Sequence, residues 1–246
     1  MLDPWLRTLV RIATTGFEFG LKRPLEVREE IISQHARPSR LAFVSDIHLR
    51  RGRSRLLSDQ VVDAIERARP DLILLGGDLV DQSSELGELG QLLARMCRIG
   101  PVFAIPGNHD RRVGENLVHQ VVQASGACWI EGRTLHFQHG KRTFAISGPG
   151  GQVSSTASIN VLCAHNPSIW RTTRDAGFDL VLAGHLHGCQ AVLFESGGRL
   201  YPGAIFYPYN FIRKSYNRSR LVVSMGCSDL IPIRRGCPRE IILCIL

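Results

Sequence analysis

Carboxylates and imidazoles recur in this sequence where apolar runs end. Asp46 and His48 follow Leu41-Ala42-Phe43-Val44-Ser45, and Asp78 follows Leu72-Ile73-Leu74-Leu75-Gly76-Gly77. Asn108, His109 and Asp110 follow Val102-Phe103-Ala104-Ile105-Pro106-Gly107, and His165 follows Val161-Leu162-Cys163-Ala164. His185 and His187 follow Leu180-Val181-Leu182-Ala183-Gly184. In Asp46-Ile47-His48 the outer residues alternate along extended chain, so both reach one site while Ile47 turns to the core. His185 and His187 alternate in the same way, and Asp81 lies one short turn beyond Asp78. A lone histidine is ordinarily a hydrogen-bonded structural residue, but chance poorly explains this ordered set. Mixed carboxylate, amide and imidazole donors suit Mn²⁺, Fe or Zn²⁺ better than Ca²⁺ or a thiolate-bound metal. The donors outnumber the needs of one ion. Two ions roughly 3.5–4 Å apart, sharing a bridging carboxylate, would use them all and activate a water for in-line attack on phosphorus.

Such residues need strands to carry them. Short aliphatic and β-branched runs bounded by turn residues read as buried strands, and ligand sites gather beyond the carboxyl ends of such strands. Between them, Ser54 to Arg69, Glu85 to Arg98 and Val113 to Ser125 show helical apolar spacing. Asn166-Pro167 predicts a cap and first-turn proline for a helix over Ser168 to Ala176. Further strands are expected at Cys128–Ile130, Thr134–Phe137, Thr143–Ser147, Ala191–Phe194, Leu221–Met225 and Glu240–Leu246. These are too many for one parallel sheet. The expectation is an α/β protein, a four-layer sandwich of two packed mixed β-sheets flanked by helices. Residues 1–39 read as a basic amino-terminal extension and residues 40–246 as the domain.

Of 246 residues, 44% are hydrophobic and 21% charged, the balance of a globular protein. The formal net charge of +8 favours anionic partners: phosphorylated substrates, acidic lipid surfaces or nucleic acid. Seven cysteines without a C-x-x-C pair argue against a disulfide framework or zinc ribbon and for a reducing, cytoplasmic setting. Cys189 lies close to the His185/His187 pair, although packing explains it more simply. No run approaches the ~20 apolar residues that span a bilayer. Trp5, Leu6, Leu9, Val10, Ile12, Phe17, Phe19 and Leu21, interleaved with Arg7, Arg11, Lys22 and Arg23, suit either a helix lying on the inner face of an anionic membrane or one packed on the domain. Tyr201 to Arg220 mixes six aromatic with four basic residues: a wall gripping an anionic or lipid-bearing substrate, or a surface hairpin with buried rings. Single-stranded nucleic acid is a weaker reading of that stretch. No Gly-rich phosphate loop opens a helix, so no nucleotide cofactor is expected.

The ordered motifs D-x-H, G-D-x-x-D, G-N-H-D, H-N-P and G-H-x-H resemble those of the calcineurin-like metallophosphoesterases. The resemblance runs from Leu41 through most of the chain. It implies a dinuclear metal-dependent phosphoesterase, with Asp46, His48 and His187 on one ion, Asp78 bridging, and Asn108, His165 and His185 completing the other. It further implies that His109 faces the scissile phosphate and that Asp81 orients His109, while Asp110 fixes the turn. Ala183-Gly184-His185-Leu186-His187-Gly188-Cys189-Gln190 and the tail from Ser228 to Ile241 are similar to segments of small bacterial phosphodiesterases. That branch includes pyrophosphohydrolases of UDP-2,3-diacylglucosamine, a membrane-associated lipid precursor, which becomes the expected substrate class. Leu186, Cys189 and Asp229-Leu230-Ile231 depart from the branch pattern without touching any expected ligand. The competing expectation is a non-catalytic scaffold that retains the fold. Such scaffolds lose the histidine or several ligands, whereas His109 and the ligand set are all present here.

Overall fold

A computed structural model describes residues 16–33 and 38–246. Its two six-stranded sheets pack face to face. Strands of the first are β2 (Glu26–Ile31), β3 (Arg40–Val44), β4 (Leu72–Leu75), β5 (Val102–Ala104), β6 (Cys128–Trp129) and β16 (Glu240–Ile245). Their order is β2-β16-β3-β4-β5-β6, with β16 antiparallel to β3 and every other pair parallel. The second sheet comprises β7 (Thr134–His139), β8 (Arg142–Ser147), β9 (Ile159–Cys163), β10 (Leu180–Ala183), β13 (Arg213–Tyr216) and β14 (Ser219–Val223). Its order is β13-β14-β10-β9-β8-β7, parallel through the middle and antiparallel at both edges.

The period-two alternation of the strands builds the layers. Leu41 and Phe43, with Leu72 and Leu74, face Phe144, Ile146, Val161, Cys163, Leu180 and Leu182 across the inter-sheet core. The intervening Ala42, Val44, Ile73 and Leu75 face outward onto three helices. These are α1 (Ser54–Ala68), α2 (Leu86–Ile99) and α3 (Asn108–Ala124), which contribute Leu57, Val61, Leu92, Met96, Val118 and Val122 to that layer. Burial of about 1.5–3 kcal/mol per large aliphatic side chain is the main force holding helix layer to sheet.

The outer layer on the second sheet is thinner than the helical pattern suggests. Trp170 covers Leu162 and Val181 from a single helical turn, α4 (Trp170–Thr173), that continues a 3₁₀ turn, Pro167–Ile169, and Phe178 joins it from the loop before β10. Asn166 caps this piece as expected, its side chain accepting from the Ser168 amide at 2.9 Å. The helix expected through Ala176 stops early. Thr172 and Thr173 both turn their hydroxyls onto the Ile169 carbonyl, and Gly177 takes a left-handed φ of 96°. Conversely, α3 starts at Asn108 rather than Val113, with a break in helical geometry at Gly114 (φ 126°).

Two small ribbons complete the chain: β1 (Phe17–Phe19) with β15 (Ile233–Arg235), and β11 (Val192–Ser196) with β12 (Arg199–Pro202). The amphipathic helix read over Trp5 to Arg23 falls outside the described residues as far as residue 15, and beyond that Phe17–Phe19 form strand β1 instead. Residues 17–31, read with it as one extension, carry β1 and β2. Arg28 on β2 pairs with Glu240 on β16 at 2.9 Å, which secures this edge of the sheet.

Candidate metal centre

Every expected donor lies beyond the carboxyl end of a strand. Asp46 and His48 follow β3, Asp78 follows β4, and Asn108 follows β5; His165 follows β9, and His185 and His187 follow β10. The two sheets meet there. Asp46, His48 and His187 form one trio of donors whose ligand atoms lie within 4.8 Å of one another; Asp78, His165 and His185 form another. Asn108 joins the second, its Oδ1 lying 3.0 Å from His165 Nε2. His48, Asp78 and His109 make a further such trio, but His109 Nδ1 is held at 2.9 Å by Asp81.

Local backbone geometry is what aims these side chains. Asp46, His48, Asp78, His185 and His187 all have positive φ, between 49° and 74°. Non-glycine residues pay about 1–2 kcal/mol for that conformation, and such strain gathers at functional sites. Glycine permits close approach of the loops. A Cβ on Gly107 would collide with the Asp78 carboxylate and amide, and one on Gly184 with the Asp46 carboxylate. Asp110 anchors the same loops, accepting from Leu79 N at 2.9 Å, Val80 N at 3.1 Å and Gly107 N at 2.8 Å. It thus fixes the turn, and burial pushes its carboxyl up to about 6 despite those donors.

Hydrogen bonds on the far side of each ring fix the tautomers. His48 Nδ1 donates to Asp81 at 2.6 Å, His165 Nδ1 to the Gly76 carbonyl at 2.9 Å, and His187 Nδ1 to the Ser228 carbonyl at 3.0 Å. Each Nε2 therefore turns a lone pair inward. His48 Nε2 and His187 Nε2 face each other at 3.2 Å, and His165 Nε2 lies 3.3 Å from an Asp78 oxygen. Lone pairs so opposed, with two buried carboxylates among them, require positive charge between them, and this donor set fits divalent ions. When no ion is bound, protons supply part of that positive charge instead. Burial pulls His165 down, yet the hydrogen bond to Asp78 and the charges of Asp46 and Asp78 push it up to about 9. Burial raises the Asp78 carboxyl, but His165, His48 and the His109 amide outweigh it and hold it well below the usual range. His187 is pushed down to about 4, by burial first and then by His48 and Arg234 against the pull of Asp46.

A calcineurin-like phosphoesterase family model matches residues 39–189, the segment that carries all of these donors. The chain belongs to that family. A calcineurin-like phosphoesterase builds its centre on two metal ions, and the donor clusters here suit that arrangement. Among relatives, phosphodiesterase YaeI of Escherichia coli is 33% identical over 178 residues, 66% of each chain. The uncharacterized protein YpbG of Bacillus subtilis is 29% identical over 170 residues, 62% of each chain. The chain thus spans slightly less than two thirds of the length of these curated relatives. The solved structure of TT1561 of Thermus thermophilus has a similar fold, with a TM-score of 0.50 and 11% identity over 84% of this chain and 98% of that one.

Sequence reasoning missed two parts of the centre. Asp81 serves two rings, since the oxygen that holds His109 also holds His48. Behind His187 lies Arg234, 1% exposed, which donates to the Ser228 and Met225 carbonyls and pairs with the equally buried Asp229. The tail motif around Ile233-Arg234 was the available signal. It gave no hint that the guanidinium reaches within 3.4 Å of His187 Nδ1.

Proposed function

We propose that this protein is a dinuclear metal-dependent phosphoesterase that hydrolyses a phosphodiester or pyrophosphate bond. Asp46, His48 and His187 would hold one ion and Asn108, His165 and His185 the other, with Asp78 shared between them. The inward-facing lone pairs of His48, His165 and His187 around two buried carboxylates carry this reading, and the phosphodiesterase name of the Escherichia coli relative supports it. When bound, divalent ions supply Lewis acidity towards the phosphoryl oxygens and lower the pKa of water.

The chain's own residues do the rest. Asp81 Oδ1 lies 2.9 Å from His109 Nδ1 and orients the ring by charge, so Nε2 is the nitrogen left to meet substrate from a side chain that is 25% exposed. As water gives up a proton to solvent and adds to phosphorus, the bond to the leaving oxygen breaks and the imidazolium form of His109 gives that oxygen its Nε2 proton. The His109 amide donates to Asp78 at 2.8 Å, which ties the proton donor to the bridging carboxylate. Manganese suits this mixed carboxylate, amide and imidazole donor set best.

The substrate belongs to the anionic, lipid-linked class, such as UDP-2,3-diacylglucosamine. The net charge of +8 and the basic, apolar residues 1–23 support contact with the inner face of an anionic membrane. No helix among the described residues is long and apolar enough to cross a membrane. Tyr201 to Arg220 leaves Phe206 75% exposed, packs Gly203 against Cys189 just after His187, and is the proposed substrate wall.

Manganese-dependent hydrolysis of bis(p-nitrophenyl) phosphate, with His109→Gln as the comparison, tests the reading. Turnover should vanish with chelator and fall about 10²–10⁴-fold in the variant while metal content stays native. Undiminished turnover of His109→Gln would remove the proton-transfer assignment. A metal-loaded chain inert on phosphodiesters and on UDP-diacylglucosamine would favour the scaffold.

A further inference from the structure

The ribbon of β1 and β15 is built inside out. Its inner face carries charge: Glu18 and Arg234 are register partners, 8% and 1% exposed. Glu18 is held by the fully buried Arg239 at 3.1 Å, while Arg234 braces the backbone behind His187. The outer face is apolar, with Phe17, Phe19 and Ile233 at 55%, 52% and 43% exposure. Phe17 and Phe19 lie side by side with ring centroids 6.2 Å apart, and Phe19 is the register partner of Ile233. Ile231, at 64% exposure, extends the patch along a loop pinned by Gln190, whose side chain bonds the backbone of Ile231 and Ile233. A two-stranded ribbon in water normally does the reverse, since burying charge is costly and exposing phenylalanine gains nothing.

We propose that this outer face is a docking surface for an anionic lipid bilayer, which deepens the membrane contact read above and rests on it. Charge selects the occupant. Arg235 sits over the Phe17 ring at 5.3 Å, Lys22 and Arg23 are exposed just beyond the ribbon, and the chain leading into Phe17 carries Arg7 and Arg11 among Trp5, Leu6, Leu9 and Val10. Aromatic and aliphatic side chains ringed by cations match the boundary between acyl chains and acidic headgroups. A second copy of this chain would bring a like-charged rim against this one. Because Arg234 projects from the inner face of the same strand towards His187, docking sets the metal centre at the lipid boundary.

The test is co-sedimentation of the full chain with vesicles of phosphatidylglycerol and phosphatidylethanolamine, against phosphatidylcholine alone. The native chain should bind the acidic vesicles, less so as salt is raised, and Phe17→Ser with Phe19→Ser should weaken binding about 10- to 100-fold. Hydrolysis of bis(p-nitrophenyl) phosphate by that variant should match the native rate. Phe19→Trp gives an independent readout, since its added fluorescence should be quenched by brominated acyl chains. Native affinity in the double variant, or no added quenching in Phe19→Trp, overturns the ribbon proposal. Loss of binding only in Arg7→Ser with Arg11→Ser would assign the membrane contact to the amino terminus alone and overturn it equally. A native dimer that the double variant converts to monomer, without vesicle binding, would give the face to a second copy. Hydrolytic activity is scored separately, so failure of the phosphoesterase reading and failure of docking are distinguishable.

Discussion

Removing the Asp81 carboxylate should damage metal binding and turnover through two separate rings. One oxygen holds His48 Nδ1 at 2.6 Å and His109 Nδ1 at 2.9 Å. Hydrogen bonds with a charged partner contribute roughly 1.5–3 kcal/mol, and about 1.4 kcal/mol is a factor of ten. Asp81→Ala should therefore weaken the ion held by His48 by about 10- to 100-fold, the usual cost of losing a carboxylate behind a metal-binding histidine. At saturating manganese, turnover should still be about 10- to 100-fold low, because His109 has lost the carboxylate that orients its ring and favours its charged form. Manganese titrations of bis(p-nitrophenyl) phosphate hydrolysis separate the two effects, with metal content measured in parallel. A double-mutant cycle sharpens the test: His109→Gln should cost less in the Asp81→Ala background than in the native chain. Native manganese affinity in Asp81→Ala, or strict additivity in the cycle, would refute the shared-oxygen argument.

Two further predictions concern the frame of the centre. Gly107→Ala forces a methyl group into the Asp78 carboxylate, so the variant should fold, lose about 1–3 kcal/mol, and bind fewer than two ions per chain by elemental analysis. Asp229→Asn leaves the buried Arg234 without its countercharge. Breaking a buried pair costs about 3–5 kcal/mol, so thermal unfolding should shift down by roughly 6–20 °C. An unchanged midpoint would mean that Ser228 and Met225 suffice to hold the guanidinium.

The donors were legible because each strand that carries them is buried on both faces and reads as a continuous apolar run. Their polar termini stand out against that background. Asp46 and His48 do share a site with Ile47 fully buried between them, but beyond the end of β3 and through left-handed backbone rather than extended alternation. Left-handed backbone at the donors was invisible, because no side-chain pattern encodes φ at aspartate or histidine. Strand β2 was missed for another reason. Glu-Val-Arg-Glu-Glu-Ile reads as polar extension, and the buried partner of its Arg28, Glu240, lies more than two hundred residues away. The break at Gly114 hid the true start of α3, since apolar periodicity resumes only beyond it.

The strand β16 lies between β2 and β3, so one inner position of the first sheet is filled by a segment far downstream of both neighbours. During synthesis β3, β4 and β5 can pair as they emerge, but the Arg28 side of the sheet has no neighbour until Glu240–Ile245 leaves the ribosome. The tail that delivers β16 also carries Asp229 and Arg234, the buried pair behind His187. A nascent chain therefore exposes the flank of β3 to solvent, and to other nascent chains, until translation reaches this strand. Stalling upstream of Glu240 should yield an aggregation-prone species, whereas a chain extended past Ile245 closes its first sheet and braces its metal centre together.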